Sequence, residues 1–286
     1  MPARTTRTWP RLIYRGVRRV PLYCAAAAIA VFTLFPFYWM LVTAFRAPTE
    51  VITNHTLLPG QLSLTNMQSL LWRTSFSTYY MNSVEVACTV TVGTLLITPP
   101  IAYVLARLRS RSSRALSVSV LVSYMYPEIF LILPIYVGLV KLNLDDNPFG
   151  LALALLAVTT PMGIWLLVSF FSTLPREVEE ASVVDGASVA RTLWHVVIPM
   201  ARPGFVTVGI FSFIFAWVDY TFGLILISSD AHRTLPVGLA ALFGQMTVNW
   251  GVVMAGSVLA CVPILFLMAV VGNYFISALT LGSVKG

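Results

Sequence analysis

The stretch Leu174-Pro175-Arg176-Glu177-Val178-Glu179-Glu180-Ala181-Ser182-Val183-Val184-Asp185-Gly186-Ala187, running on to Pro203, is a polar island in an otherwise apolar chain. It gathers Glu177, Glu179, Glu180 and Asp185, four of the eleven acidic residues. Pro175 suits a first helical turn, and carboxylates near that turn complement the positive end of a helix dipole. Asp185-Gly186 is a turn signal, Ser188 is placed to cap a second helix, and Pro199 is expected to end it. Val178, Ala181 and Val184 stand at three-residue steps in the first segment, and Leu193 stands with Val196 and Val197 in the second. The pattern predicts two short amphipathic helices joined at a glycine, a knob too polar to sit in lipid. On residue types alone, an ordinary loop between spans has equal standing.

The 286 residues are 58% hydrophobic and only 10% charged, with a mean hydropathy of +0.83. A soluble domain carries about a quarter charged residues, so this composition is that of an integral membrane protein. A formal charge of +7 would suggest nucleic acid in a soluble chain; here its distribution reports topology. Cys24, Cys88 and Cys261 all lie in apolar runs without ligand spacing, and His55, His195 and His232 are scattered. Neither set predicts a metal site or a disulfide framework.

Residues 1–20 hold six arginines and no acid, and an apolar run follows. The small residues Ala25–Ala28 open that run where a signal peptide would end in them, so it reads as an uncleaved first span. Six spans are expected, at about 21–45, 82–105, 115–140, 148–171, 204–227 and 251–277. With both termini inside, the cytoplasmic side receives Arg4, Arg7, Arg11, Arg15, Arg18, Arg19, Arg107, Arg109, Arg111, Arg114, Arg176, Arg191, Arg202 and Lys285. Only Arg46, Arg73, Lys141 and Arg233 fall outside, which fixes the orientation and puts the 174–203 island in the cytoplasm. The outer segment 46–81 is either a solvated loop with aromatic anchors or a contact for an extracellular partner. Pro99, Pro100, Pro127 and Pro134 lie inside spans two and three, where kinks are expected.

As a pattern, Glu180-Ala181-Ser182, Asp185-Gly186-Ala187, Ile198-Pro199 and Pro203 closely resemble the EAA loop of binding-protein-dependent ABC importer permeases; Ser182 stands where Ala is more usual. The resemblance covers nearly the whole chain and narrows to the carbohydrate, maltose-permease-like branch. It is carried by Leu34-Phe35-Pro36-Phe37-Tyr38-Trp39-Met40, Asn82-Ser83, Ala102-Tyr103-Val104-Leu105-Ala106-Arg107-Leu108 and the tail Thr280-Leu281-Gly282-Ser283-Val284-Lys285-Gly286. Ala216-Trp217-Val218-Asp219-Tyr220 is similar to a Trp-Asn-Asp-Phe segment, with Val218 for Asn, while Gly272-Asn273 and Ala278 depart from the common Gln-Arg and Gly. The resemblance implies an all-α membrane domain over 21–286, with a cytoplasmic coupling helix between spans four and five that docks on an ATPase subunit. It implies a second homologous permease, two ATPase subunits that bind ATP and magnesium, an extracytoplasmic solute-binding protein, and a bacterial inner-membrane location. Glu179, Glu180, Ala181, Asp185, Gly186 and Ala187 become the coupling residues: Glu180 as the charged anchor, the alanines as a small docking face, Asp185 as a brace, Gly186 as the turn.

Ionisable groups within spans are costly and so are functional candidates. Glu85 is expected near the outer end of span two, where an interfacial carboxylate is the simpler reading. Glu128 follows Tyr126-Pro127, and Asp219 sits between Trp217 and Tyr220. Sugar sites pair acids or amides with aromatic faces, so Glu128, Trp217, Asp219 and Tyr220 are candidates for the solute pathway; a structural hydrogen bond is the alternative for Asp219. The two lysines, Lys141 and Lys285, each follow valine, so no Walker A loop exists and ATP hydrolysis must come from another subunit. No nucleophile–base or metal constellation points to an enzyme, and no cofactor is expected in this chain. An ion-gradient-driven secondary transporter using Glu128 and Asp219 is the competing class, and a glycerophosphodiester is the competing solute to a sugar.

Overall fold

A computed structural model describes residues 20–53, 56–107, 111–244 and 248–281. The basic segment 1–20 lies, but for Val20, outside the described residues, as does 282–286, most of the tail. Among the described residues thirteen α-helices follow in order: α1 Val20–Ala44, α2 Glu50–Thr53, α3 Thr65–Arg73, α4 Phe76–Arg107, α5 Arg111–Met125, α6 Ile129–Lys141, α7 Pro148–Thr173, α8 Glu177–Val184, α9 Val189–Met200, α10 Arg202–Val218, α11 Thr221–Leu226, α12 Leu235–Phe243 and α13 Trp250–Leu281, with a short 3-10 turn at Asp230–His232. No strand occurs among the described residues; a single bridge pairs Arg46 with Leu62.

Four helices, α1, α4, α7 and α13, are individually long and apolar enough to cross a bilayer. Two further pairs pass that test jointly but are sharply bent, α5 with α6 by 96° and α9 with α10 by 82°. The first break falls at Tyr126-Pro127-Glu128, where Pro127 has no N–H to give and disfavours helix for its predecessor. By contrast α4 runs unbroken through Pro99 and Pro100, with Thr98 Oγ1 donating back to the Thr94 carbonyl at 2.7 Å. Glu85 lies in the third turn of α4, because the helix starts at Phe76, ahead of the expected span. The expected fifth span is likewise discontinuous: α10 ends at Val218, and the chain resumes as α11 after Asp219-Tyr220.

The chain divides into two compact units, residues 1–69 with 249–258 and residues 70–248 with 259–286. In the first, α1 is exposed over most of its length, while Val42, Thr43 and Ala44 at its end are buried. Beyond it, Arg46 is buried and orders the outer segment: Nη2 donates to the Thr56 carbonyl at 2.6 Å, and the guanidinium lies 5.5 Å from the Trp39 ring centroid. Buried Asn66 Nδ2 donates to the carbonyls of Ala44 and Arg46 at 3.2 and 2.8 Å. The segment after α1 is therefore a folded cap held by polar side chains.

In the second unit α4, α7 and α10 pack on one another. Ala102, Ile164, Leu167, Phe171, Leu193, Val197, Ala201 and Val208 form its apolar core at the end nearest the polar island. Close approach of α4 and α7 depends on Gly163, where a Cβ would stand 2.9 Å from Thr98 Cγ2. Small residues with threonine hydroxyls are the usual contact between membrane helices, and Thr94 and Thr159 share a bond of 3.1 Å here.

Candidate functional site

The polar island folds as a helical knob. α8 buries none of its residues within the chain, and Val184 is 87% exposed. It ends in a glycine motif: Gly186 has φ +83°, Ala187 N–H donates to the Ser182 carbonyl and Gly186 N–H to the Val183 carbonyl, both at 3.0 Å. That six-to-one and five-to-two pair is the Schellman arrangement, which needs a residue comfortable at positive φ. A Cβ on Gly186 would meet nothing within 4 Å, so the requirement is backbone conformation, with room to spare. Ser188 caps α9, its hydroxyl accepting from Arg191 N–H at 3.3 Å. Pro199 does not end that helix. It lies inside the last turn, which continues to Met200, and a π-helical stretch over Leu193–Val197 precedes it. A proline cannot donate to the carbonyl four residues back, and the wider turn meets that interruption before the chain bends at Ala201.

Glu179 points back into the protein. It forms an ion pair with Arg107 and accepts from Tyr103 Oη at 2.9 Å, both partners lying on the last turns of α4. The paired side chains of Arg107 and Glu179 are only 14% and 13% exposed. Arg176 Nη2 reaches the Arg107 carbonyl at 3.4 Å, and Ser182 Oγ shares a bond of 3.0 Å with Thr192 Oγ1. Glu180, Ala181, Asp185 and Gly186 remain exposed, and Glu180 makes no ion pair among the described residues. Leu193 and Val197 anchor α9 in the apolar core.

The pathway candidates divide. Trp217 is 2% exposed, its Nε1 donating to the Ala260 carbonyl at 3.0 Å and its ring stacked on Phe213. Asp219 turns onto backbone, accepting from Phe222 and Gly223 N–H at 3.3 and 2.9 Å, so its carboxylate starts α11. Tyr220 is 43% exposed. Glu128 lines a cleft of about 360 Å³ at the α5–α6 break with Ser123, Tyr124, Tyr126, Pro161 and Phe215.

A family model described as the binding-protein-dependent transport system inner membrane component matches residues 99–280. The chain belongs to this family. The permease is 34% identical over 275 residues to the inner membrane ABC transporter permease protein YcjP of Escherichia coli, covering 95% of this chain and 98% of that one. It is 31% identical over 273 residues to the trehalose/maltose transport system permease protein MalG of Thermococcus litoralis, covering 94% and 98%. A solved bacterial ABC transporter involved in importing the polysaccharide alginate shares the fold, with a TM-score of 0.77 at 23% identity over 96% of this chain and all of that one. The permease is thus a multi-pass inner-membrane component of an ABC transporter and not itself an enzyme.

Sequence reasoning missed two features of the permease. One is the Tyr103–Arg107–Glu179 brace, although the resemblance had already marked the Ala102–Leu108 stretch. The other is an acidic clamp at the opposite end of α4. Asp146 Oδ1 accepts from Ser228 N–H, Ser229 N–H and Ser229 Oγ at 2.9, 2.9 and 3.0 Å. Asp230 accepts from Tyr79 Oη at 2.6 Å and from Ser75 Oγ at 3.0 Å. Asn82 Nδ2 donates to the carbonyls of Ala231 and Arg233, and Ser83 Oγ accepts from Leu235 N–H. Partial burial pushes the Asp146 carboxyl up, but the Ser229 and Ser228 donors and nearby His232 outweigh it, leaving it below the ordinary value. The Tyr79 hydrogen bond, with Ser75 and Arg233, holds Asp230 low as well, against a smaller upward push from burial.

Proposed function

We propose that this permease forms half of the transmembrane pathway of an ATP-driven importer for a sugar or sugar-like solute. The observation that carries the reading is the braced knob: α8 offers an exposed face to a partner while Glu179 ties that helix to the pathway-forming α4. In this reading Glu180, Ala181, Asp185, Gly186 and Ala187 meet the ATPase, and Glu179 transmits its displacement to α4. Closure of two ATPase subunits, which would hold ATP and magnesium, then rotates the helices between inward-facing and outward-facing arrangements. A second, homologous permease completes the pathway, and an extracytoplasmic binding protein delivers the solute.

The sugar assignment draws on relatives named for trehalose, maltose and diacetylchitobiose transport. It also draws on the cleft beside Glu128, where a carboxylate, hydroxyls and the Tyr124 and Tyr126 rings suit a polyhydroxylated solute. Six crossings with both termini cytoplasmic complete the proposal. What supports it is sidedness within the second unit: Glu179, after α7, meets the C-terminal end of α4, whereas Asp146, before α7, meets the 228–229 segment whose neighbour Asp230 meets the N-terminal end of α4. The chain between α4 and α7 must therefore pass from one end to the other.

The test is ATP hydrolysis in proteoliposomes holding the permease with its partner subunits and binding protein, using trehalose and maltose as probes. Stimulation is expected to require the binding protein, and to be lost in Gly186→Val and Glu180→Lys complexes that still assemble. Solute uptake by the permease alone, driven by an ion gradient without ATP, would defeat the proposal.

A further inference from the structure

At the end of α4 nearest the knob lies a polar pocket of about 350 Å³ lined by Ala106, Arg107, Ser172, Leu174 and Arg176. Arg107 and Arg176 both line it, and of the two only Arg107 is paired with a carboxylate among the described residues, that of Glu179. Among the described residues the Arg176 guanidinium makes one hydrogen bond, to the Arg107 carbonyl, and no ion pair. The same bond covers a carbonyl at the negative end of α4, which would otherwise repel an anion. Guanidinium forks match phosphate oxygens in shape as well as charge.

The surroundings select a kind of phosphate. Ile97, Ile101 and Val104 follow the helical four-and-three spacing on α4 and are 43%, 40% and 48% exposed. That apolar stripe runs along the helix to Arg107, one turn beyond Val104. A basic pocket with room for a phosphodiester headgroup, at the head of an exposed apolar stripe, has the form of a phospholipid site: headgroup in the pocket, acyl chain on the stripe. Basic pockets between helices on the cytoplasmic side of a membrane take anionic lipid headgroups.

We propose that the Arg107–Arg176 pocket binds the phosphodiester headgroup of an anionic phospholipid of the cytoplasmic leaflet, beside the root of the coupling helix. The inference rests on the cytoplasmic placement of the α4 and α7 ends proposed above, and not on the identity of the solute or on transport itself. Because Arg176 precedes α8 directly, a bound headgroup would also hold the knob's base against α4.

The assembled transporter is placed in nanodiscs of mixed phosphatidylglycerol and phosphatidylcholine, and the lipids it retains on release are weighed by native mass spectrometry. Phosphatidylglycerol is expected to be enriched over its share in the disc. Arg176→Gln should lower that enrichment roughly fivefold, as expected for one basic residue at a membrane surface. Arg176→Lys should keep most of it, and Arg233→Gln, at the other end of α4, should leave it unchanged. Ser172→Glu, which puts a carboxylate into the pocket without touching either arginine, should abolish it and serves if Arg176→Gln does not assemble. Equal enrichment in wild type, Arg176→Gln and Ser172→Glu would overturn the proposal. So would inorganic phosphate protecting the pocket's amides from exchange in a permease that shows no phosphatidylglycerol enrichment, which would assign the pocket to a soluble anion.

Discussion

Gly186 is required for its backbone. With φ at +83° and open space where a Cβ would go, substitutions there should rank by their tolerance of the left-handed region, not by volume. Gly186→Asn is expected to be mild, Gly186→Ala to cost about 1 kcal/mol, and the β-branched Gly186→Val to cost more. Hydrogen exchange reads this directly, because the Gly186 and Ala187 amides close the motif and should exchange faster in that order. If valine and asparagine exchange alike, conformation is not what the position selects. The sequence marked this glycine as a turn residue but could not separate conformation from close approach, since either excludes a side chain. Asp219 raises the opposite difficulty. A carboxylate in an apolar run reads as a pathway group, yet here it accepts two backbone N–H groups and starts a new helix. Asp219→Ala should destabilise α11 by about 1 kcal/mol, and Asp219→Asn, which keeps an acceptor, by less. Measured solute affinity that falls equally in both variants, with the protection of α11 unchanged, would assign Asp219 to the pathway.

Among elements, the knob was legible because its signals are local: acids in a first turn, Asp185-Gly186, and Ser188 as a cap all act within a few residues. Its attachment was not, because Glu179 meets a partner 72 positions away on α4 and no periodicity encodes that pairing. The 126–128 break had a proline to announce it, whereas the break after Val218 rests on one aspartate folding back onto backbone. The attachment predicts a specific loss. Glu179→Gln leaves a largely buried Arg107 without its counter-charge and should loosen α8 by about 3 kcal/mol, seen as faster amide exchange over 177–187. Tyr103→Phe should do so by less, and adding it to Glu179→Gln should cost little more, because both act through the same carboxylate. The segment 227–235 predicts a pH dependence. Asp146 and Asp230 both sit below the ordinary aspartate value, so they favour the folded segment fully above the unfolded value near ~3.9 and lose that effect as pH falls through their lower folded values. Amide protection at Ser228 and Ser229 should therefore decline as pH falls below about 4. Asp146→Asn should flatten that decline.

For the whole molecule, the decisive matter is which side of the membrane each polar segment occupies, and arginine placement and tertiary contacts bear on it separately. Arginine counting puts 174–203 inside and 142–147 outside. The contacts join Glu179 to one end of α4 and, through the 228–230 segment, Asp146 to the other, whichever side of the membrane each end occupies. The bent α5–α6 pair is where these could part. If it were a re-entrant hairpin instead of a crossing, α7 would start on the cytoplasmic side and carry the knob outside, away from Arg107. The ion pair speaks against that, and the proposed topology takes the 96° bend as lying within a crossing. Single cysteines test the argument in intact cells, after Cys24, Cys88 and Cys261 are replaced by serine or alanine. Ser228→Cys, exposed between α11 and α12, is expected to react with a membrane-impermeant maleimide from outside. Ser188→Cys, exposed at the start of α9, should react only after permeabilisation. Labelling of both positions from the same side would mean that the α10–α11 segment does not cross, and that the knob and the acidic clamp share one face of the membrane. Were that shared face the outer one, the coupling role proposed for α8 would have no ATPase within reach.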